Sequence, residues 1–128
     1  MAAKTNAYRI DVINVQRGTN ITAPSAVYVA AYSVLSSDGS SGGTEIAVAT
    51  RQLITFSTAD STGGSVNTTE ILYPVATSNW GSVVGLGTWT SSGTSGANHY
   101  TDVMTTAVTI NTNNQLKFSS GSIVLQEI

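Results

Sequence analysis

Apolar residues recur along this chain in short runs with a period close to two, and this pattern limits the fold more than any other feature. The run "AVYVAAYSVL" (26–35) is almost entirely apolar and rich in β-branched and aromatic residues, which is typical of a central strand. In "AYRIDVINV" (7–15), Tyr8, Ile10 and Val12 alternate with Arg9 and Asp11. Such alternation predicts a strand with one solvated face.

Further runs of this kind give about nine predicted strands in all, the others being 45–50, 51–58, 67–76, 82–90, 97–110, 115–119 and 122–128. The segments between them, such as "SSDGSSGGT" (36–44), are rich in glycine and small polar residues and are predicted to be loops. Pro74 cannot donate a ladder hydrogen bond, so it indicates a sheet edge or a bulge. Helices are nearly excluded, because glycines or β-branched polar residues interrupt every helical repeat.

Short strands at this spacing, joined by polar loops, predict an all-β chain with one domain over residues 1–128. We expect an antiparallel β-sandwich, and the strand count favours a jelly roll of about eight strands. Residues 1–7 precede the first strand and are a candidate extended arm.

Charge is scarce, since only 9% of the residues are Asp, Glu, Lys or Arg and the net charge is −2. The five cationic residues stand singly, so no basic stripe could neutralise a run of phosphates, and we expect no nucleic-acid partner. No stretch approaches the roughly 20 apolar residues of a membrane span. The chain has no cysteine and no signal peptide pattern, so we expect a soluble protein that folds in a reducing cytoplasm.

The sequence offers little for catalysis. His99 is the only histidine, and no carboxylate stands at a metal-ligand spacing from it. No Gly-x-Ser-x-Gly motif occurs, and the "GLG" at 85–87 lacks the lysine of a phosphate-binding loop. We therefore expect no enzyme, no bound metal and no cofactor.

Residues 76–104 contain both tryptophans and the histidine, and two interpretations of them stay open. They could form two strands and a loop whose aromatic residues serve the core and assembly, or a surface on which sugars stack. Burial is favoured for one of the two tryptophans, because Trp89 alternates with glycines that leave room beside a bulky neighbour. The candidate interface or ligand-contact residues are Trp80, Trp89, His99, Tyr100 and, in the amino-terminal segment, Lys4 and Arg9.

The carboxyl-terminal part of the chain resembles a family of small tailed-bacteriophage virion proteins, of the head decoration or tail fibre type. The resemblance rests on four consecutive segments: "ATSNWGSVVGLGTW", "TSSGTSGANHY", "TDVMTTAVTI" and "QLKFSSGSIVLQEI". Its most specific part is Asn79-Trp80-Gly81 between two strands. Where relatives commonly have Phe-Asp, this chain has Trp89-Thr90, so a role of that acid does not carry over.

The resemblance implies a capsid decoration (cement) protein without an active site. Such a protein would be made in the host cytoplasm and would act on the exterior of the capsid as a homotrimer. It would bind across subunits of the major capsid protein and stabilise the shell. Lys4 and Arg9, in the amino-terminal segment, would contact the shell or a neighbouring subunit. The alternative is a tail fibre protein or a receptor- or carbohydrate-binding module, which would use the loop with Trp89, His99 and Tyr100.

Overall fold

Antiparallel strands and one short helix make up the computed structural model, which describes residues 3–36 and 43–126. The helix is α1 (Asn6–Gln16). The strands are β1 (Ala3–Lys4), β2 (Val27–Val34), β3 (Thr44–Glu45), β4 (Gln52–Ile54), β5 (Gly64–Val66), β6 (Ile71–Leu72), β7 (Gly81–Trp89), β8 (Asn98–Ile110), β9 (Lys117–Phe118) and β10 (Val124–Gln126).

Six of the strands form the main sheet, in the order β1, β8, β7, β2 and β3, with β4 also pairing with β2. Two small sheets, β10 with β5 and β6 with β9, complete the molecule as the structure describes it. Every strand pair is antiparallel, which confirms the predicted antiparallel all-β class. The jelly-roll connectivity stays a prediction.

The hydrophobic core is built from both the main sheet and the small sheets. Alternation along β2 places Val29 and Ala31 in this core, and β6 contributes Ile71 to the same cluster. Tyr73 is fully buried and its hydroxyl donates to the carbonyl of Val29 at 2.9 Å, so the largest core side chain also satisfies its polar atom. The other buried members are Ile46, Ala49, Ile54, Ala76, Val83, Ile110 and Leu116.

The strand predicted over residues 7–15 is wrong, because this segment is the helix α1. Thr5 caps it: the Thr5 hydroxyl accepts a hydrogen bond from the backbone N–H of Tyr8 at 3.3 Å. An N-cap of this kind stabilises a helix by about 1 kcal/mol, which offsets the weak helix propensity of several β-branched residues. Tyr8 and Val12, four residues apart, are half-buried on one side, whereas Ile10 is 61% exposed on the other. The near exclusion of helices therefore fails at this element.

Strand β8 departs from regular pairing with β7 at two places. Val83 pairs with Val108 and Gly85 with Val103, so residues 104–107 of β8 stand opposite a single residue of β7. Closer to the start of β8, Thr88 pairs with Tyr100 and Trp89 with Asn98, so His99 is an inserted residue. Bulges of this kind bend a strand and redirect its side chains.

Asn67, which is fully buried, joins the connection between β5 and β6 to the segment between β9 and β10. Its side-chain amide donates to the carbonyls of Thr69 at 2.8 Å and Ser119 at 3.1 Å. Its side-chain oxygen accepts from the backbone N–H of Ile123 at 2.8 Å. The side chain thus satisfies three backbone groups that no nearby strand ladder reaches.

The remaining sequence predictions have mixed outcomes. Pro74 follows the end of β6 and lies outside the short β6–β9 ladder, where no hydrogen bond from its nitrogen is needed. Of the predicted loop 36–44, residues 37–42 lie outside the described residues, as do residues 1–2 of the predicted arm and the last two residues of the chain. No helix in the described part of the chain is long and apolar enough to span a membrane.

Candidate functional site

Trp80 immediately precedes β7 and packs on the core. Its ring meets the ring of Tyr73 edge to face, with 5.7 Å between centroids, and its backbone N–H donates to the carbonyl of Ile110 at 2.9 Å. The side chain is half-buried rather than fully enclosed. An edge-to-face aromatic pair of this kind stabilises the core, so Trp80 anchors the start of β7.

Arg51 is the centre of a second cluster, on the face of the main sheet that bears Trp89. Strands β3 and β4 both pair with β2 and are separated by a turn at residues 47–50. Arg51 follows this turn, immediately before β4. The guanidinium donates two hydrogen bonds to the Glu45 carboxylate, at 2.9 and 2.8 Å. Because the Arg51 side chain is only 3% exposed, this bidentate pair is largely removed from solvent.

The same guanidinium holds the loop between β7 and β8. It donates to the carbonyl oxygens of Ser91 at 2.9 Å and Ser95 at 3.0 Å, so both ends of the loop's turn are tied to one side chain. Its central carbon lies 3.9 Å from the centroid of the Trp89 ring, a cation–π contact. Arg51 therefore ties the loop between β7 and β8 to the β3–β4 turn.

Trp89 is held from its edge as well as from its face. Its indole N–H donates to the Tyr32 hydroxyl at 2.8 Å. Burial raises the pKa of the Tyr32 hydroxyl above its ordinary value, so Tyr32 stays a neutral hydrogen-bond partner at physiological pH. Arg51 covers a face of the Trp89 ring and Tyr32 accepts its indole N–H, so both groups of Trp89 already have partners within the chain.

Gly85 and Gly87 of β7 leave the space that this cluster fills. A Cβ atom at Gly87 would lie 2.6 Å from the ring of Tyr32, and one at Gly85 would collide with the side chain of Leu35 and the backbone of Asp102. The prediction that these glycines make room for a bulky neighbour is confirmed, but the neighbours are Tyr32 and Leu35 rather than Trp89.

Replacing Gly85 with alanine is expected to lower the free energy of unfolding by about 1–3 kcal/mol, since the new methyl group meets backbone on the adjacent strand. The measurement is equilibrium unfolding in urea. Gly93→Ala is the matched control, because the nearest atom to a Cβ there is 3.9 Å away. Equal effects of the two substitutions would contradict this explanation.

His99 and Tyr100 lie where α1 meets the main sheet, apart from the Arg51 cluster. The Tyr8 ring lies 4.2 Å from that of His99 and 5.2 Å from that of Tyr100, measured between centroids. The backbone N–H of Thr5 donates to the carbonyl of His99 at 2.8 Å, and the Thr5 hydroxyl donates to the carbonyl of Asn98. His99, the inserted residue of β8, and its neighbour Asn98 thus bind the residue that caps the start of α1.

The attachment of α1 is expected to weaken as the pH falls. Burial lowers the pKa of His99 below its ordinary value, and the Asp11 carboxylate partly opposes this effect. An unfolded histidine titrates near pH 6.5, so the unfolded chain binds the proton first, and the folded state loses stability as pH falls below about 6.5. Hydrogen exchange of the α1 amides, corrected for the intrinsic rate, should show less protection at pH 5 than at pH 7.5.

His99→Phe is the control for this prediction, since phenylalanine keeps a ring against Tyr8 but does not titrate. Its α1 amides should be equally protected at both pH values. A loss of protection in this variant as large as in the natural chain would assign the pH effect to another group.

Lys4 and Arg9 do not join the tryptophans. Lys4 is in β1, opposite Tyr100 of β8, so this part of the candidate arm pairs with the chain's own sheet. Arg9 is exposed on α1, where its guanidinium donates to the Asn6 side chain at 2.9 Å. Five of the six candidate residues therefore fall into three separate places, namely the core edge at Trp80, the Arg51 cluster at Trp89, and the edge of β8 at Lys4, His99 and Tyr100, while Arg9 stands apart on the exposed side of α1.

Sequence reasoning missed the residues that organise these places, namely Arg51, Glu45, Tyr32 and Tyr8. Glu45 and Arg51 flank a turn and are six positions apart, which is a weak signal for an ion pair. The contacts of Arg51 with the 91–95 loop join positions some forty residues apart, and nothing in one sequence announces them. No buried side-chain N or O atom among the described residues lacks a hydrogen-bond partner.

An open groove of about 440 Å³ lies between β8 and the carboxyl-terminal residues of β9 and β10. It is lined by Leu86 of β7, by residues 100–106 of β8, by Phe118 of β9, and by residues 122–125 in and before β10. Val103 and Val124 are 68% and 47% exposed at its rim. Its lining mixes apolar side chains with threonines, Ser122 and Asp102. No cluster of His, Asp or Glu suited to a metal ion occurs in the described residues.

Residues 3–126 match the family model described as Podophage GP4 fiber I protein gp80, and the chain belongs to this family. The chain is therefore a bacteriophage structural protein and a component of the virion. A comparison with curated proteins gives no match.

Proposed function

We propose that the protein is a structural subunit of a tail fibre. The observation that carries this proposal is the match to a fibre protein family over nearly the whole chain, from residue 3 to residue 126. The earlier resemblance covered only the last part of the chain and left head and tail types open. The family match names a fibre protein, which supports the tail fibre alternative more than the capsid cement hypothesis.

The geometry supports a structural role for the aromatic residues rather than a role in stacking on sugars. Sugars stack on an open aromatic face, but Arg51 covers a face of Trp89 and Tyr8 packs on both His99 and Tyr100. Trp89 and Tyr100 also lie on opposite faces of the sheet, because Tyr100 pairs with Thr88, whose side chain points to the face opposite that of Trp89. The proposal accordingly gives the protein no catalytic step and no bound cofactor.

The experiment that tests the proposal is the copy number of the protein in purified virions, measured by quantitative mass spectrometry against the major capsid protein. A fibre subunit should be present in far fewer copies than the major capsid protein. Near-equal copy numbers would support shell decoration and would reject the fibre proposal.

A glycan array is the matching test of the receptor-binding alternative. The fibre proposal, with Trp89 occupied by Arg51, expects no glycan to bind through the 90–100 loop. A hit that is lost in Trp89→Leu but kept in Trp80→Leu would restore the carbohydrate-binding alternative.

A further inference from the structure

The β1–α1 segment (residues 3–16) is attached to the rest of the chain mainly near its start. The backbone of β1 pairs with the edge of β8. Thr5 is buried and bonds the backbone of β8, and the Tyr8 ring packs on the rings of His99 and Tyr100. No residue of α1 is buried, and β8 is the strand on which α1 packs. The segment therefore docks on one strand through a compact set of contacts.

The connection from α1 to β2 is exposed and holds the segment loosely. Every residue from 15 to 25 is exposed, and residues 20–25 form no hydrogen bond with any described residue. Pro24 has a fixed φ angle and restricts Ala23 to extended backbone, so this part of the connection favours an outstretched form. Residues 17–26 can span roughly 33 Å when extended, about the diameter of a small domain.

Large apolar side chains follow the docked part of the segment and stand in solvent. Ile10, Ile13 and Val15 of α1 are 61%, 63% and 44% exposed, and Ile21 of the connection is 38% exposed. Single exposed apolar residues are common on soluble proteins, but these four lie between residues 10 and 21. They would lie at the boundary between two copies if the segment crossed from one copy to the next.

The site on β8 that receives this segment is present on every copy of the chain. Exchange of an identical element between copies remakes the same contacts, so its main cost is the freedom lost on association. A flexible connection presents the segment to its own β8 at an effective concentration of about 1 mM. Copies held side by side in a fibre reach a comparable local concentration, so a neighbour's β8 competes with the chain's own.

We infer that the β1–α1 segment of each copy docks on β8 of a neighbouring copy, in the place that the segment occupies on its own chain in the structure. The exchanged segment keeps the β1 pairing, the Thr5 hydrogen bonds and the Tyr8 ring contacts, while the exposed isoleucines lie between copies. Reciprocal exchange closes a dimer, whereas passing the segment to the next copy forms a ring or extends a row. This inference rests on the proposed fibre role, which supplies the neighbouring copies. Its failure on the purified protein would leave the location of the protein in the virion unchanged.

Two cysteines placed across the β1–β8 pairing report which copy the segment occupies. The chain has no cysteine of its own, and Lys4 lies directly opposite Tyr100. The full chain with Lys4→Cys and Tyr100→Cys is held at about 1 mM, oxidised, and run on a denaturing, non-reducing gel. We expect most chains in linked dimers or larger species. A product that is mainly the internally closed monomer would overturn the inference.

The control is a second cysteine pair across strands that do not exchange. Ser65 of β5 lies directly opposite Leu125 of β10. The chain with Ser65→Cys and Leu125→Cys, oxidised at the same concentration, should give mainly the internally closed monomer. A linked fraction as large as that of the first pair would assign the crosslinks to random collision and overturn the inference.

A second measurement needs no cysteine and covers the case in which the first pair disturbs folding. The natural chain at about 1 mM should form oligomers in light scattering, and a chain that stays monomeric would overturn the inference. Ile10→Asp with Ile13→Asp should weaken association about tenfold or more, since both side chains lie between copies after exchange. Val48→Asp with Val75→Asp is the matched control, because these valines are 58% and 51% exposed away from the segment. Equal association of the two variants would also overturn the inference.

Discussion

Replacing Asn67 with alanine is expected to lower the free energy of unfolding by about 2–4 kcal/mol, because three partly buried hydrogen bonds from one side chain are lost at once. The carbonyls of Thr69 and Ser119 and the N–H of Ile123 all bond the Asn67 side chain. Water cannot easily replace a side chain that is fully buried. The measurement is the urea midpoint and slope of equilibrium unfolding.

Asn20→Ala is the matched control for Asn67→Ala. Asn20 is exposed in the segment between α1 and β2, so its loss should change the free energy of unfolding by less than about 0.5 kcal/mol. Asn67→Asp keeps the acceptor for Ile123 but loses both amide donors, so it should also destabilise strongly. A small effect of Asn67→Ala would show that the segment between β9 and β10 docks without this side chain.

Replacing Arg51 with methionine is the second large effect, with an expected loss of about 2–3 kcal/mol. Methionine fills much of the volume, but it leaves the Glu45 carboxylate and the carbonyls of Ser91 and Ser95 without their donor. The Glu45 side chain is 26% exposed, so water recovers part of the loss and keeps the effect below that of a fully buried pair. Unfolding in urea gives the free energy, and faster hydrogen exchange across 91–97 should accompany it.

Two comparisons separate the role of Arg51 from a general effect of removing charge. Lys117→Met breaks an exposed ion pair with Glu70, 3.3 Å long, and should change stability by less than about 1 kcal/mol. Adding Glu45→Gln to Arg51→Met removes the unpaired charge, so the double variant should recover part of the stability. Equal losses in Lys117→Met and Arg51→Met would contradict the account of a buried cluster.

The long strands could be predicted from the sequence because their environment is set by local pattern. The predicted runs 26–35, 82–90 and 97–110 agree within about one residue at each end with β2, β7 and β8. The predicted run 67–76 shrinks to the two residues of β6, since side chains such as Asn67 and Gln115 satisfy much of the neighbouring backbone. Hydrogen bonds from side chains leave no periodic signal.

The helix α1 was mispredicted because its exposed isoleucines complete an alternating pattern. Tyr8, Ile10 and Val12 share one side of a strand, but on a helix Ile10 faces away from the other two. The cap at Thr5 was the signal available in the sequence, and a second apolar residue at Ile13 breaks the alternation.

The candidate site was predicted in part. Sequence reasoning singled out Trp89, His99 and Tyr100, and each is indeed held in an aromatic contact or cluster. It could not separate them into two places, because the register that puts Trp89 opposite Asn98 depends on the inserted residue at His99. Nor could it predict the contact between Arg51 and Trp89, since this contact depends on the pairing of β4 with β2.

The central claim is that the protein builds a fibre of the virion, and its position on the particle tests this most directly. Purified virions would be labelled with gold-conjugated antibody against the protein and viewed by electron microscopy, with antibody against the major capsid protein as the control. The account predicts gold on the fibres at the tail and none above background on the head shell. Gold spread over the shell, as in the control, would contradict the account and would support the capsid decoration hypothesis instead.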